Sequence, residues 1–288
     1  MNIQWYPGHM TKARRMMQEN IKLIDLIIEL VDARAPLSSR NPDIDELGKG
    51  KARLILLNKA DLASDRANDA WAAYFREKGC FVVKLDSRSK NGMKEVQTVI
   101  QDACKEKTER DRKRGILNRP VRAMVVGIPN VGKSTFINSF AGRACAKTGN
   151  KPGVTKGAQW IRLNKQVELL DTPGILWPKF DDQTVAQKLA FTGAINDDVM
   201  DLEALACLLL QRLAVSYPKA LEERYRMTDL QAIQEDGFAM LELLGRKRGM
   251  LISGGEVNTE RAAITLLDEF RSGKLGRITL ELPEQEAL

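Results

Sequence analysis

Histidine is almost missing from this sequence: His9 is the only one in 288 residues. That excludes a histidine-rich metal centre, and any imidazole chemistry has to use the one residue. Cysteine is scarce as well. Cys80, Cys104, Cys145 and Cys207 stand at least 24 residues apart, so neither the close pairs of a zinc knuckle nor a disulfide framework is present. They read as reduced thiols used as small apolar side chains in a reducing compartment. Long apolar runs are also absent. The longest covers residues 204–210 and is closed by Gln211 and Arg212, against the ~20 residues that span a bilayer. The start, Met1-Asn2-Ile3-Gln4-Trp5-Tyr6-Pro7-Gly8, has no basic segment leading into an apolar one, so no secretion signal is expected. The expectation is a cytoplasmic protein that does not engage a membrane.

The length is about twice the ~150 residues of a typical domain, which predicts two domains. With 43% apolar and 29% charged residues, the composition is globular rather than disordered. Charge is unevenly placed. The net +7 splits into +14 over residues 1–180 (33 bases, 19 acids) and −7 over residues 181–288 (12 bases, 19 acids). Residues 105–122 hold eight bases against three acids, and residues 143–165 hold six bases and no acid. Solvated helix faces produce such runs, but two in one half point to a polyanionic partner, bound with release of counterions.

Residues 1–179 alternate apolar runs with helical patterns, the mark of a mostly parallel sheet covered by helices. Strands are predicted at 26–31, 53–57, 81–85, 122–126, 159–163 and 166–170, and helices at 10–22, 65–78, 92–108 and 133–141. From residue 180 to 288 the pattern turns helical, with segments at 183–191, 198–217, 229–235, 237–247 and 258–271. The reading is therefore α/β, followed by a small C-terminal helical domain.

Three segments carry chemistry, each directly after an apolar strand. Gly127-Ile128-Pro129-Asn130-Val131-Gly132-Lys133-Ser134 fits G-x-x-x-x-G-K-[ST]. Its glycines let backbone N–H groups and a helix start wrap a phosphate chain, with Lys133 reaching the β and γ phosphates and Ser134 binding Mg²⁺. Asn130, Val131, Gly132, Lys133, Ser134 and Thr135 form this phosphate-binding set. Asn58-Lys59-Ala60-Asp61 offers a carboxylate, Asp61, able to accept both N1–H and N2–H of guanine, a pairing adenine cannot make. Asn58 supports the base edge and the Lys59 stem covers its face, while Ser87 and Arg88 in Asp86-Ser87-Arg88-Ser89 present backbone toward guanine O6. Asp171-Thr172-Pro173-Gly174 places an aspartate to hold Mg²⁺ through water and the Gly174 N–H to meet the γ-phosphate. Thr155 adds a second Mg²⁺-binding hydroxyl, with Thr148 as its competitor.

Together these segments resemble the GTPase motif set in a circularly permuted order, with the guanine-reading parts ahead of the P-loop. With Trp5-Tyr6-Pro7-Gly8-His9-Met10 and Val31-Asp32-Ala33-Arg34-Ala35-Pro36 added, the sequence resembles the bacterial ribosome biogenesis GTPase A family, strongly over residues 1–180 and only in kind beyond. The resemblance implies a P-loop GTPase that hydrolyses GTP to GDP, needs Mg²⁺, binds rRNA and acts late in large-subunit assembly. It implies a protein that is monomeric when free. An rRNA-binding scaffold with structural nucleotide, and a signalling GTPase with protein effectors, are the alternatives.

Ile175 stands where familiar GTPases carry the glutamine that orients the attacking water. An isoleucine cannot do this. Three replacements are open: His9 as a mostly neutral imidazole, a monovalent cation such as K⁺ held partly by Asn130, or a group supplied by the ribosomal partner.

Overall fold

The computed structural model describes residues 3–4, 8–147, 158–228 and 230–283, except the side chain of His9. The chain divides into two compact units: Gln4–Lys179 together with the chain from Thr279 onward, and Phe180–Ile278 together with the first three residues. The sequence pattern carried the helical part to residue 288. The described residues from Thr279 instead belong with the α/β unit, because their side chains and N–H groups find partners there.

The α/β unit runs α1 (Gly8–Asn20), β1 (Leu26–Asp32), α2 (Asp43–Leu47), β2 (Ala52–Asn58), α3 (Asp65–Glu77), β3 (Phe81–Leu85), α4 (Met93–Ala103), α5 (Lys105–Lys113), β4 (Val121–Val126), α6 (Lys133–Ala141), β5 (Gln159–Arg162) and β6 (Val167–Asp171). The strands form one sheet in the order β3-β2-β1-β4-β6-β5. Every pairing is parallel except that of β5 with β6. All seven residues of β1 are buried, as a central strand covered on both faces requires. One of them is Glu29, whose carboxylate is met by Arg53 at 2.6 Å and Arg40 at 3.2 Å.

The pairing explains why permutation is tolerated. β4, β6 and β5 make one half of the sheet, and β1, β2 and β3 make the other, joined where β4 pairs with β1. Joining these halves in the opposite chain order would change no hydrogen-bonded pair. The register also aligns Asp32 with Asn58 and Asn58 with Leu85, and sets Val125 beside Asp171. The motif-bearing loops thus leave one edge of the sheet, at the carboxyl ends of parallel strands where open α/β sheets bind ligands.

The α/β unit departs from the sequence pattern in two places. The helix expected over 92–108 is broken at Cys104 into α4 and α5. Buried Val96 and Ile100 tie α4 to the sheet, whereas α5 offers no apolar stripe and is anchored by Lys107, which pairs with Asp111 at 3.1 Å and Asp25 at 3.3 Å. The apolar, β-branched run at 277–282 pairs with no strand among the described residues and bends at Leu280.

The helical unit contains α7 (Gln183–Phe191), α8 (Leu202–Ser216), α9 (Pro218–Tyr225), α10 (Gly237–Lys247) and α11 (Thr259–Arg271). α8 packs on both α10 and α11. It begins at residue 202 rather than 198 because Asp201 caps it, accepting from Ala204 N at 3.0 Å; residues 197–199 form a separate 3₁₀ turn. The segment at 229–235 is reduced to a 3₁₀ turn over Leu230–Ala232. α9 went unpredicted although Pro218 opens it, a favoured residue at a first helical position. Among the described residues no helix is long and apolar enough to cross a membrane.

Candidate nucleotide site

The loop after β4 and the start of α6 form a cradle. Lys133, only 6% exposed, turns its ammonium inward and donates to Gly127 O at 2.9 Å and Ile128 O at 2.8 Å. Burial pushes its pKa down to about 8, and nearby Asp171 opposes that shift. Asp171 ends β6, is 2% exposed, and its Oδ1 has no hydrogen-bond partner. Burial drives its pKa up to about 6 against the pull of Lys133. Thr172 anchors the following turn by donating its hydroxyl to Val125 O at 2.7 Å. Gly174 then passes so close to the P-loop that a Cβ would lie 2.8 Å from Pro129 Cα and 2.9 Å from Lys133 Nζ. Only glycine fits that approach. Ser134 and Thr135 sit half-buried in the first turn of α6.

The loops after β2 and β3 are tied to this cradle by Asn58. Its Nδ2 donates to Val131 O at 2.7 Å, and its Oδ1 accepts from Ser87 N at 3.2 Å and Ser87 Oγ at 2.7 Å. Gly132 lies against the same amide: a Cβ there would come within 2.3 Å of Asn58 Nδ2, and its φ of +101° is one that side chains resist. Ser87 is held from its other side, since Ser139 Oγ donates to Ser87 O at 2.7 Å. Lys59 donates to Asp32 Oδ2 at 2.9 Å and Asn130 O at 3.0 Å. Ala60 and Asp61 follow in a 3₁₀ turn, with the Asp61 carboxylate exposed. Burial and the neighbouring Asp86 raise the pKa of Asp61 above the usual range. Arg88 is exposed, and its N–H donates to Asp86 Oδ1 at 2.9 Å.

Sequence reasoning assigned no role to the pair behind Lys59. Arg34 grips Asp32 with Nε at 2.9 Å and Nη2 at 2.8 Å, and both side chains are almost wholly buried. Burial works against the Asp32 charge, but Arg34 and Lys59 hold the carboxyl well below the usual carboxylate range. The signal was present: a polar Asp-x-Arg at the carboxyl end of an apolar parallel strand.

Ile175 is buried, its N–H directed to Gly127 O at 3.4 Å and its carbonyl accepting from Asn41 Nδ2 at 3.3 Å. The next N–H, of Leu176, meets Met10 Sδ at 3.5 Å. The first turn of α1, which includes His9, is therefore next to the segment that follows Gly174. Asn130 has left-handed backbone, φ +57°, a conformation Asn tolerates better than most residues. Thr155 and Thr148 lie outside the described residues.

Residues 122–233 match the family model for the 50S ribosome-binding GTPase. The chain is 50% identical over 285 residues to ribosome biogenesis GTPase A of Bacillus cereus, covering 99% of this chain and 95% of that one. It is 31% identical over 282 residues to the protein of that name from Thermotoga maritima, covering 98% and 95%. The chain belongs to the ribosome biogenesis GTPase A family. Solved structures agree. GNP-bound YlqF from T. maritima matches with a TM-score of 0.64 at 28% identity, covering 95% of this chain and 99% of that one. The GDP-bound form matches at 0.65 and 26%, covering 93% and 99%. As a member of that family, the protein hydrolyses GTP and works in ribosome biogenesis.

Proposed function

We propose that this GTPase drives a late step in assembly of the large ribosomal subunit, binds rRNA there, and leaves when GTP is hydrolysed. The observation that carries the nucleotide part is the Asn58 amide, which joins the base-reading loops to the P-loop backbone in one network. Asp61 and the backbone of Ser87 and Arg88 read guanine, with Lys59 covering the ring. Asn130–Thr135 and Gly174 hold the phosphates. Ser134, Thr155 and Asp171 would hold Mg²⁺, and their all-oxygen set suits that hard cation. The buried Asp171 Oδ1, which no hydrogen bond satisfies, fits that role. When bound, Mg²⁺ neutralises phosphate charge that develops during transfer.

Ile175 cannot orient water, so we assign that task to His9, supported by the Met10 contact to Leu176. K⁺ at Asn130 is the competing assignment. The segment after Gly174 leads straight into the helical unit, so a γ-phosphate contact is joined covalently to whatever that unit binds.

The rRNA reading draws on α5 and the turn after it. Arg110, Arg112, Lys113 and Arg114 are exposed, whereas Lys107, Arg119 and Arg122 are occupied by Asp25, Asp111 and Glu168. The decisive experiment is sedimentation with immature and mature large subunits, in GTP-analogue and GDP states. Binding is expected to immature subunits in the GTP state; equal affinity in both nucleotide states would sink the proposal. Changing the four exposed bases to Gln is expected to flatten the log–log salt slope by about one for each phosphate that is no longer neutralised, with free GTP binding intact.

A further inference from the structure

One segment of the α/β unit is not accounted for by any nucleotide motif. After the helical unit ends at Ile278, residues 279–281 lie against the loops that follow β1 and β2, with a bend at Leu280, and each is fastened. Thr279 Oγ1 accepts from Ser64 N at 3.2 Å. Leu280 N donates to Arg34 O at 2.7 Å. Glu281, a carboxylate only 1% exposed, accepts at Oε1 from Leu37 N at 2.5 Å and Ser38 N at 2.9 Å, and at Oε2 from Ser38 Oγ. Its carbonyl accepts from the Trp71 indole at 3.0 Å.

Of the two loops so fastened, the one after β2 presents a guanine-reading group and the one after β1 braces its neighbour Lys59. The loop after β1 carries Arg34, which grips Asp32, which in turn holds Lys59. The loop after β2 carries Asp61 and reaches Ser64 three residues later. A buried carboxylate is tolerated where hydrogen bonds meet its charge. Here two backbone N–H groups and a hydroxyl do so, fixing the 36–38 turn to the segment. Removing that carboxylate would leave buried donors unpaired and free the turn to shift.

We propose that residues 279–281 are a strap that sets how tightly guanine nucleotide is held, with Glu281 as a positioning residue for the base-reading loops. This rests on reading Asn58-Lys59-Ala60-Asp61 as the guanine site. The chain enters the helical unit shortly after Gly174 and leaves it into the strap, so that unit is covalently joined to both the phosphate end and the base end. A load on the helical unit that strips the strap away loosens base recognition and speeds nucleotide release.

The test uses the full-length protein and reads four quantities: dissociation of a fluorescent GDP, KM and kcat for GTP, preference for GTP over ITP, and amide exchange at Leu37 and Ser38. In Glu281→Ala the GDP off-rate and the GTP KM are expected to rise about tenfold, an ordinary coupling between sites. The preference for GTP narrows, the two amides exchange faster, and kcat changes far less than KM. Glu281→Gln keeps an oxygen for both N–H groups and recovers most of the loss. A lowered melting temperature with wild-type off-rate, KM and base preference overturns the proposal, leaving Glu281 a structural anchor. If Glu281→Ala does not fold, Ser38→Ala and Thr279→Val decide: wild-type off-rates in both overturn it. Asp61→Asn, run in parallel, separates the two readings. Selectivity lost there but untouched in the strap variants refutes the strap alone; selectivity retained in Asp61→Asn refutes the guanine site beneath it.

Discussion

The two ends of the nucleotide site differ in how far their own side chains complete them. At the base end, Asn58 is met by Val131 and Ser87, and Asp32 by Arg34 and Lys59; the proposed reading group Asp61 stands exposed. At the phosphate end, Lys133 makes do with two backbone carbonyls and Asp171 keeps an oxygen without a partner. Their pKa values move toward neutrality, down to about 8 and up to about 6, because burial penalises both charges. In the proposed reading the base end is preorganised, so it can select without rearranging. In the same reading the phosphate end acquires its remaining partners from the ligand, so its charge states would change on binding.

The most severe way to break this contrast is Lys133→Ala. It removes the charge-assisted phosphate interaction, and single-turnover assays are expected to detect no hydrolysis, with GDP still distinguished from ADP. Normal kcat would refute the phosphate end as drawn. Next, Asp61→Asn takes from the base end the acceptor for both guanine protons. Competition binding is expected to show guanine selectivity over xanthine falling by about 10⁴, the scale for sites that leave a buried polar group unpaired.

His9→Ala tests a group at neither end. Subunit-stimulated kcat is expected to fall about 10²–10⁴-fold, the range for acid–base groups, while KM and subunit affinity barely change, as the proposed transition-state role of the imidazole requires. Weaker subunit binding with intact saturating kcat would make His9 a docking residue and favour K⁺ or the ribosome as activator.

The smallest effect sharpens the comparison by pH. Nucleotide affinity with Mg²⁺ present should rise as pH climbs through about 6, where Asp171 loses its proton and becomes able to serve a cation. It should fall as pH climbs through about 8, where Lys133 loses the charge that meets phosphate. Each limb approaches about tenfold per pH unit, by linkage. Asp32, held charged by Arg34 and Lys59, adds no limb in this range. A flat titration from pH 5 to 9 would mean that neither group changes state.

The loop after β4 and the helix it opens were legible because their signals are local. Gly127 through Ser134 announces its own loop, and the predicted helix at 133–141 matches α6. Strand β3 and helices α7 and α10 likewise begin and end where the apolar period puts them. Hidden features depended on distance in the chain. Nothing near Glu281 reveals that its partners are Leu37 and Ser38, 244 and 243 residues away, and a lone glutamate near residue 281 reads as an exposed charge. The break at Cys104 was hidden for a related reason: helical propensity continues through it, and only the sheet contacts of α4 and the ion pairs of α5 say otherwise.

The packing of 279–281 onto the α/β unit also bears on how the protein is born. Synthesis is vectorial, and domains tend to fold in the order in which they leave the ribosome. Here the loops after β1 and β2 emerge early, but the indole of Trp71 and the amides of Leu37 and Ser38 must wait until residue 281 has been translated. The whole helical unit is made in the interval. This unit of an assembly GTPase therefore reaches its finished form only after its companion has been synthesised, which would keep a half-made chain from holding nucleotide as a finished one does.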